Sequence, residues 1–243
     1  MKSFQRTNPI VGLGIILGGA FLVATLLVAG TLFRIRAQSD LVSVTGSAKM
    51  QVTSDQAKWT VLITRNVHQS TLKTGYDEIA HDLALTKAFL AAQGITDAEM
   101  TVQPVSMMEV YMQYPPADKP YTVQQNIIIQ SSDVDKLTRA SNNVSGIISQ
   151  GVIFSTQGLE YYYSKLPEAR ISLLSQAIDD AKNRANELAK TSGSHVGKLK
   201  SATSGVVQVQ SLNSTDISDY GMYDTSQIEK QITVTVKASF TLR

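Results

Sequence analysis

Apolar and polar positions change period several times along the chain, and each change marks an element. Residues 7–33 have no period at all: 27 consecutive residues carry no charge, and most are aliphatic or small. A helix over residues 10–33 would be about 36 Å long at ~1.5 Å per residue, enough to cross a hydrocarbon core of ~30 Å. Asn8 reads as its N-cap and Pro9 as its first helical residue. Residues 41–46 alternate apolar and polar, as a half-buried strand does. A second strand over 56–66 holds the only tryptophan, Trp59, and follows the polar turn Thr53-Ser54-Asp55, so the two predict an antiparallel hairpin. Ser70 then caps a helix over 70–93 whose inward face is Leu72, Tyr76, Ile79, Leu83, Thr86 and Leu90. Gly94 stands at its left-handed C′ position with Ile95 as the following apolar contact. Residues 101–113 and 121–130 read as a strand pair joined by a proline loop that cannot serve a central ladder. A helix over 133–149 (Val134, Leu137, Val144, Ile147 and Ile148 inward) and a strand over 152–163 follow. Pro167 opens the longest soluble helix, ending near Gly193, with Leu174, Ala177, Ile178, Ala181, Ala185 and Leu188 inward. Strands over 198–210 and 229–242 flank a polar loop at 213–225. Most connections are too short for parallel crossovers. The prediction is an α+β fold with a mostly antiparallel or mixed sheet, long packing helices and one transmembrane helix before them.

The apolar run divides the chain into a short basic tail (1–9), a transmembrane anchor (10–33), a linker (34–40) and a domain (41–243). Lys2 and Arg6 precede the run and Arg34 and Arg36 follow it, so positive charge alone sets no orientation. A cleaved signal peptide is the competing reading. The run exceeds the usual apolar region of ~7–15 residues, and its only tolerable cleavage signal, Val28-Ala29-Gly30, lies inside it. An uncleaved anchor is the expectation, with the lipid bilayer as partner. Gly14, Gly18, Ala20 and Ala24 form a small-residue face of the kind that lets two membrane helices approach. The glycines from Gly12 to Gly18 imitate a dinucleotide fingerprint, but with one residue too many and no preceding strand.

Net charge is +2 with acids and bases interspersed, which excludes a basic nucleic-acid stripe. Absence of cysteine excludes disulfides, thiolate metal sites and cysteine nucleophiles. His68, His81 and His195 are scattered. Asp77 and His81 are four apart, but two ligands do not complete a metal site. Asp77-Glu78 and Asp179-Asp180 are neighbours on helices, about 100° apart, so neither pair converges on one atom; Asp179–Lys182 and Asp180–Arg184 are the expected ion pairs. No G-x-S-x-G elbow or phosphate loop occurs. The sequons at Asn143 and Asn213 read as chance. No cofactor, metal or catalytic residue is expected; a hydrolase would need a cleft joining a histidine to a carboxylate or serine. Two aromatic clusters remain. Tyr161-Tyr162-Tyr163 closes a strand and alternates faces. Met107, Met108, Tyr111, Met112 and Tyr114 lead into the proline loop, where adaptable thioethers and amphipathic phenols suit a protein interface.

Two segments together carry a family resemblance. Val42-Ser-Val44-Thr-Gly46-Ser-Ala48 fits an opening V-x-V-x-G-x-A strand. Residues 169–189, with Ala177, Asp180-Ala181, Ala185 and Ala189 followed by Gly193 and Gly197, fit a helix of spaced alanines that exits through glycines. Gly94-Ile95, Val102-Gln103-Pro104 and Tyr121 fit in order, and the chain resembles the SIMPL-domain family over nearly all of residues 40–243. The resemblance implies a bacterial cell-envelope protein, exported to the periplasm and here held by a single-pass anchor in the inner membrane. It also implies a link to oxidative-stress defence, a hollow ring assembly in at least one member, and no agreed catalytic site. The expectation is a non-enzymatic homo-oligomeric scaffold, with a periplasmic ligand- or client-binding (holdase-like) module as the alternative.

Overall fold

The computed structural model describes residues 9–36, 41–216 and 218–243. Lys2, Arg6, the Asn8 cap and most of the linker lie outside the described residues. The first element is α1 (Pro9–Arg36), of which Gly12–Thr31 has a mean hydropathy of 2.3 and none of its window buried. It is apolar and long enough to cross a membrane.

Beyond it come β1 (Leu41–Thr53), β2 (Gln56–His68), α2 (Leu72–Ala92), β3 (Met100–Val102), β4 (Ser106–Glu109) and β5 (Pro120–Ser131). They are followed by α3 (Val134–Asn142), α4 (Ser145–Ile148), β6 (Ile153–Tyr162), α5 (Leu166–Thr191), β7 (Val196–Ser211), β8 (Met222–Tyr223) and β9 (Glu229–Leu242). The fold is α+β, as the pattern predicts, with a four-stranded sheet β1-β9-β7-β8 and a five-stranded sheet β3-β5-β2-β6 in which β4 also pairs β5. The β2–β5, β2–β6, β3–β5 and β4–β5 pairs of the second sheet are antiparallel, and the β7–β8 pair is parallel, so the class is mixed.

The expected β1–β2 hairpin does not form: the two strands belong to different sheets. The turn between them bonds elsewhere. The N–H and Oγ of Ser54 donate to Ile228 O at 2.9 and 2.8 Å, and the Asp55 N–H donates to Tyr162 O at 3.0 Å. Asp55's carboxylate in turn accepts from the Ser164 N–H and Oγ, both at 2.7 Å. A turn tied to two distant loops in this way hands the chain from one sheet to the other.

The chain divides into two compact units. The larger comprises Ala48–Ser175 and Val206–Val234 and holds the main core. There β2 lies between β5 and β6, and Trp59, Val61, Ile63, Ile127, Ile129, Ile79, Leu90 and Leu137 are fully buried. The Trp59 indole N–H donates to Thr156 Oγ1 at 3.2 Å, so its polar edge is satisfied within the core. Helix α2 ends as expected. Gly94 has φ +80°, its N–H donates to Ala91 O at 2.9 Å, and the Ile95 N–H donates to Leu90 O at 3.0 Å with Ile95 buried, a Schellman closure. Its start differs from expectation, and its face does so at Tyr76 alone, since Ile79, Thr86 and Leu90 are buried and Leu72 and Leu83 pack against the core. Ser70 lies in a 3-10 turn, Gln69–Thr71, and bonds Asp118 in place of capping α2. The buried stripe is Gly75, Ile79, Asp82, Thr86, Phe89 and Leu90, while Tyr76 is exposed. The strand expected over 101–113 is two, β3 and β4, with Pro104 between them lacking the N–H a ladder needs. The helix expected over 133–149 is also two, and Ile148 is exposed.

The smaller unit comprises Met1–Ser47, Gln176–Gly205 and Thr235–Arg243. Here α5 meets β1 at Ala177 and Ala181, and buries Ala177, Ala181, Ala185 and Ala189 at a four-residue spacing. Leu188, expected inward, is exposed. Gly46 is where strand and helix meet: a Cβ there would fall 2.1 Å from Ala177 O and 2.4 Å from Ala181 N. One residue on, the Ser47 N–H donates to Asp180 Oδ2 at 2.8 Å, and Arg184 Nε holds the same oxygen at 2.8 Å.

Candidate interaction surface

Every expected interface residue is exposed, and the larger unit builds a stem beneath them. β4 pairs with β5 in the register Ser106↔Gln124, Met107↔Val123, Met108↔Thr122 and Glu109↔Tyr121. The other side of β5 is taken by β2, and among the described residues no strand covers the outer edge of β4. All four β4 residues are exposed, Met107 and Met108 on opposite faces because side chains alternate along a strand. The loop that follows carries Val110, Tyr111, Met112 and Tyr114, with the two tyrosines 90% and 85% exposed.

The base of this loop is pinned from several directions. The Val110 N–H donates to Pro120 O at 2.9 Å, and Lys119 Nζ reaches Glu109 Oε1 at 2.8 Å. The Gln69 N–H donates to Lys119 O at 2.8 Å, and Asp118 accepts from the Ser70 N–H at 3.0 Å and Oγ at 2.6 Å. The Lys119 ammonium holds Glu109's carboxyl below its usual range, and the Ser70 hydroxyl and N–H do the same for Asp118. Pro115 and Pro116 restrict φ at the tip. The result is an apolar, aromatic tip on a tethered stem beside an open strand edge. Chemically it can do two things: pair backbone with another extended strand, and bury phenol and thioether surface against a partner.

The other sequence candidates do not converge. His68, His81 and His195 are all exposed. His81 sits in a shallow depression with Asp77, Glu78, Asp82 and Arg65, but Asp77 is engaged by Lys73 at 2.9 Å and Asp82 by Arg65. Among the described residues, no three metal-ligating side chains gather as a metal site requires. The Asp180–Arg184 pair forms. Tyr161 is buried with its hydroxyl 3.0 Å from Thr138 Oγ1, while Tyr162 stacks obliquely near Tyr223 with ring centres 5.8 Å apart. Gly14, Gly18, Ala20 and Ala24 lie along α1 with exposed surfaces. In the smaller unit an open groove of about 1320 Å³ is lined by Val44, Leu188, Ala189, Val196, Asn183 and His195, among others.

Two buried ionic features escape sequence reasoning. Asp82 is fully buried and takes a bidentate grip from Arg65, Nε to Oδ2 at 2.5 Å and Nη2 to Oδ1 at 2.7 Å, while Nη2 also donates to Gly151 O at 3.1 Å. Lys230 is fully buried and donates to the carbonyls of Asp224 and Gln227, the latter at 2.6 Å. Burial pushes its ammonium below the usual range, opposed by the Asp224 charge. Both serve to hold loops against strands, and only the mixed polarity of their surroundings in sequence could have pointed to them.

The model of the SIMPL family, described as a protein of unknown function (DUF541), matches residues 42–241 of the chain. Comparison with curated proteins finds no match. The two motifs that carry the family likeness are one contact in space: Gly46 of the opening strand admits the backbone of Ala177 and Ala181, and Ser47 is held by Asp180.

Proposed function

The chain belongs to the SIMPL family, and on that premise we propose that it is a membrane-anchored cell-envelope protein that self-associates into a ring or cage. Helix α1 holds it in the inner membrane with the domain on the periplasmic side. Protomers join through β4 and the residues Met107, Met108, Tyr111, Met112 and Tyr114. The observation that carries this reading is the pinned stem that presents Tyr111 and Tyr114 almost wholly to solvent beside an uncovered strand edge. A monomer gains nothing from ordering two tyrosines in water, whereas an interface core is enriched in tyrosine and methionine. Anchoring supplies the rest: protomers confined to one membrane meet at raised effective concentration, so weak edge contacts suffice to close an assembly. A role in oxidative-stress defence would follow from the exposed methionines, whose thioethers oxidise reversibly to sulfoxides. The test is mass photometry of the full-length protein in mild detergent. Tyr111→Ser with Tyr114→Ser should shift a discrete oligomer to smaller species, and an unchanged mass distribution would remove this surface from the reading.

A client-binding role is the second reading, favoured by the open groove beside Leu188 and Val196. It requires the full-length protein to suppress aggregation of reduced insulin at near-stoichiometric ratio, and Leu188→Asp to abolish that effect without changing oligomer mass.

A further inference from the structure

One half-sheet of the smaller unit carries charge of a single sign. Residues 41–47, 193–205 and 235–243 contain Lys198, Lys200, Lys237 and Arg243 and no Asp or Glu. The strands they form end together. Ser239 Oγ donates to Ser43 Oγ at 3.2 Å, placing the end of β9 beside the start of β1. The His195 N–H donates to Arg243 O at 2.8 Å, and the Arg243 N–H donates to His195 O at 2.9 Å, placing the end of β9 beside the start of β7. The Lys198 N–H is fixed on Thr241 Oγ1 at 2.9 Å. Arg243 leans over Gly197, its Nε 3.5 Å from where a Cβ would stand.

This end is also uncovered. Every residue from 198 to 205 is exposed, so β7 shows both faces here, with Lys198 and Lys200 on one and Leu199 on the other. Elsewhere in the unit Asp180 is matched by Arg184 and Ser47, and Glu187 by Lys190 at 2.5 Å, while the expected Asp179–Lys182 pair is not among the ion pairs of the described residues. Lys198, Lys200 and Arg243 form no ion pair among the described residues.

The chain itself says what stands near this end. Four residues separate α1 from β1, and a trans chain extends at most ~3.6 Å per residue, so Leu41 lies within about 18 Å of the end of α1 whichever way the helix runs. Arg34 and Arg36, set against Asp40 just before Leu41, leave residues 34–40 with a net charge of +1.

We propose that the basic end of this half-sheet, with Lys198 and Lys200 on one face of β7 and Leu199 and Arg243 on the other, stands end-on against the anionic headgroup layer of the membrane that α1 crosses. The inference rests on reading α1 as a membrane anchor. Headgroup phosphates supply the counter-charge that the fold withholds, and the tether keeps the surface within a few screening lengths of them. The domain is then seated on the membrane and not free on its linker.

The absence of cysteine makes the test direct. Full-length protein carrying Ser201→Cys, labelled with an environment-sensitive fluorophore, is reconstituted into phosphatidylcholine vesicles or into vesicles with one third phosphatidylglycerol, each with a headgroup nitroxide as quencher. Strong quenching is expected only with phosphatidylglycerol, and its loss is expected in 0.5 M NaCl. Lys198→Gln, Lys200→Gln and Arg243→Gln should each lower the seated-to-free ratio about fivefold, with thermal unfolding unchanged. Equal quenching in both lipids, or quenching indifferent to the three substitutions, overturns the proposal while leaving the anchor intact. Vesicle flotation that fails in carbonate for every variant overturns the anchor, and with it the proposal.

Discussion

At the scale of single residues, two contacts give sharp expectations. Gly46 is needed for space, since its backbone lies in ordinary strand conformation. Its missing side chain lets β1 meet the backbone of α5 at Ala177 and Ala181, and backbone atoms cannot swing aside as a side-chain tip can. Gly46→Ala should therefore destabilise the protein by about 2–3 kcal/mol as an overpacking change, although alanine ordinarily favours a strand over glycine. A drop of several degrees in calorimetric midpoint checks this, and an unchanged midpoint refutes the contact. Glu99 gives a pH signature. Burial raises its pKa, but donation from Lys136 Nζ, Ser131 Oγ and the Thr96 N–H and Oγ1 outweighs this, bringing it from 4.5 to about 2. A carboxyl depressed in the folded state stabilises above its unfolded pKa, and that contribution disappears as pH falls from 4.5 towards 2. Glu99→Gln should lower the urea midpoint at pH 7 and flatten its decline across that window.

Elements show what could and could not be read from the chain. The final strand is legible over 231–241, where polar and apolar residues alternate and the inner positions Ile232, Val234, Val236, Ala238 and Phe240 are all buried, whereas Lys230, buried at the next inner position, breaks the pattern. The α2 cap is equally legible, because Gly94 and Ile95 act locally. The seat of α2 is legible in part. Ile79, Thr86 and Leu90 are buried as the period predicts, and Leu72 and Leu83 pack against the core, whereas Tyr76 is exposed and the buried stripe also takes in Gly75 and Asp82. Two long-range facts rotate it: a Cβ on Gly75 would meet Val67 Cγ1 at 2.8 Å, and Asp82 is neutralised by Arg65 from the neighbouring strand. No period in sequence carries either. The predicted β1–β2 hairpin failed for the same reason, since Ser54 and Asp55 find partners more than a hundred residues away. If Arg65 is what permits Asp82 to be buried, Arg65→Ala strands a carboxylate in the core and should cost about 3 kcal/mol or more. Arg65→Ala with Asp82→Ala should recover part of that loss; chemical denaturation of the single and double variants measures the coupling.

For the whole molecule, the proposed interaction surface is legible in the chain as a composition and not as a geometry. Methionine and tyrosine before a proline loop suit an interface, but the open edge of β4 and the pinned stem depend on which strands flank β5, and that is a property of topology. The distinction matters because two surfaces compete in the proposed assembly: the Gly14/Gly18 face of α1 and the β4 edge. They separate by substitution. Met108→Lys places a charge on an exposed position of an unpaired edge, the device by which natural sheets refuse partners, and should leave stability within about 0.5 kcal/mol. Removal of residues 1–36 deletes the helix face and the confinement it provides. If the edge joins the protomers and the span only concentrates them, Met108→Lys abolishes the oligomer in full-length protein. The truncated protein then still assembles, at higher concentration, in proportion to the effective molarity lost. If the span is the joint, truncation yields monomers at every concentration and Met108→Lys changes nothing. Mass photometry and sedimentation velocity on these two variants and the parent thus assign the driving contact, since each mechanism predicts loss in one variant and survival in the other.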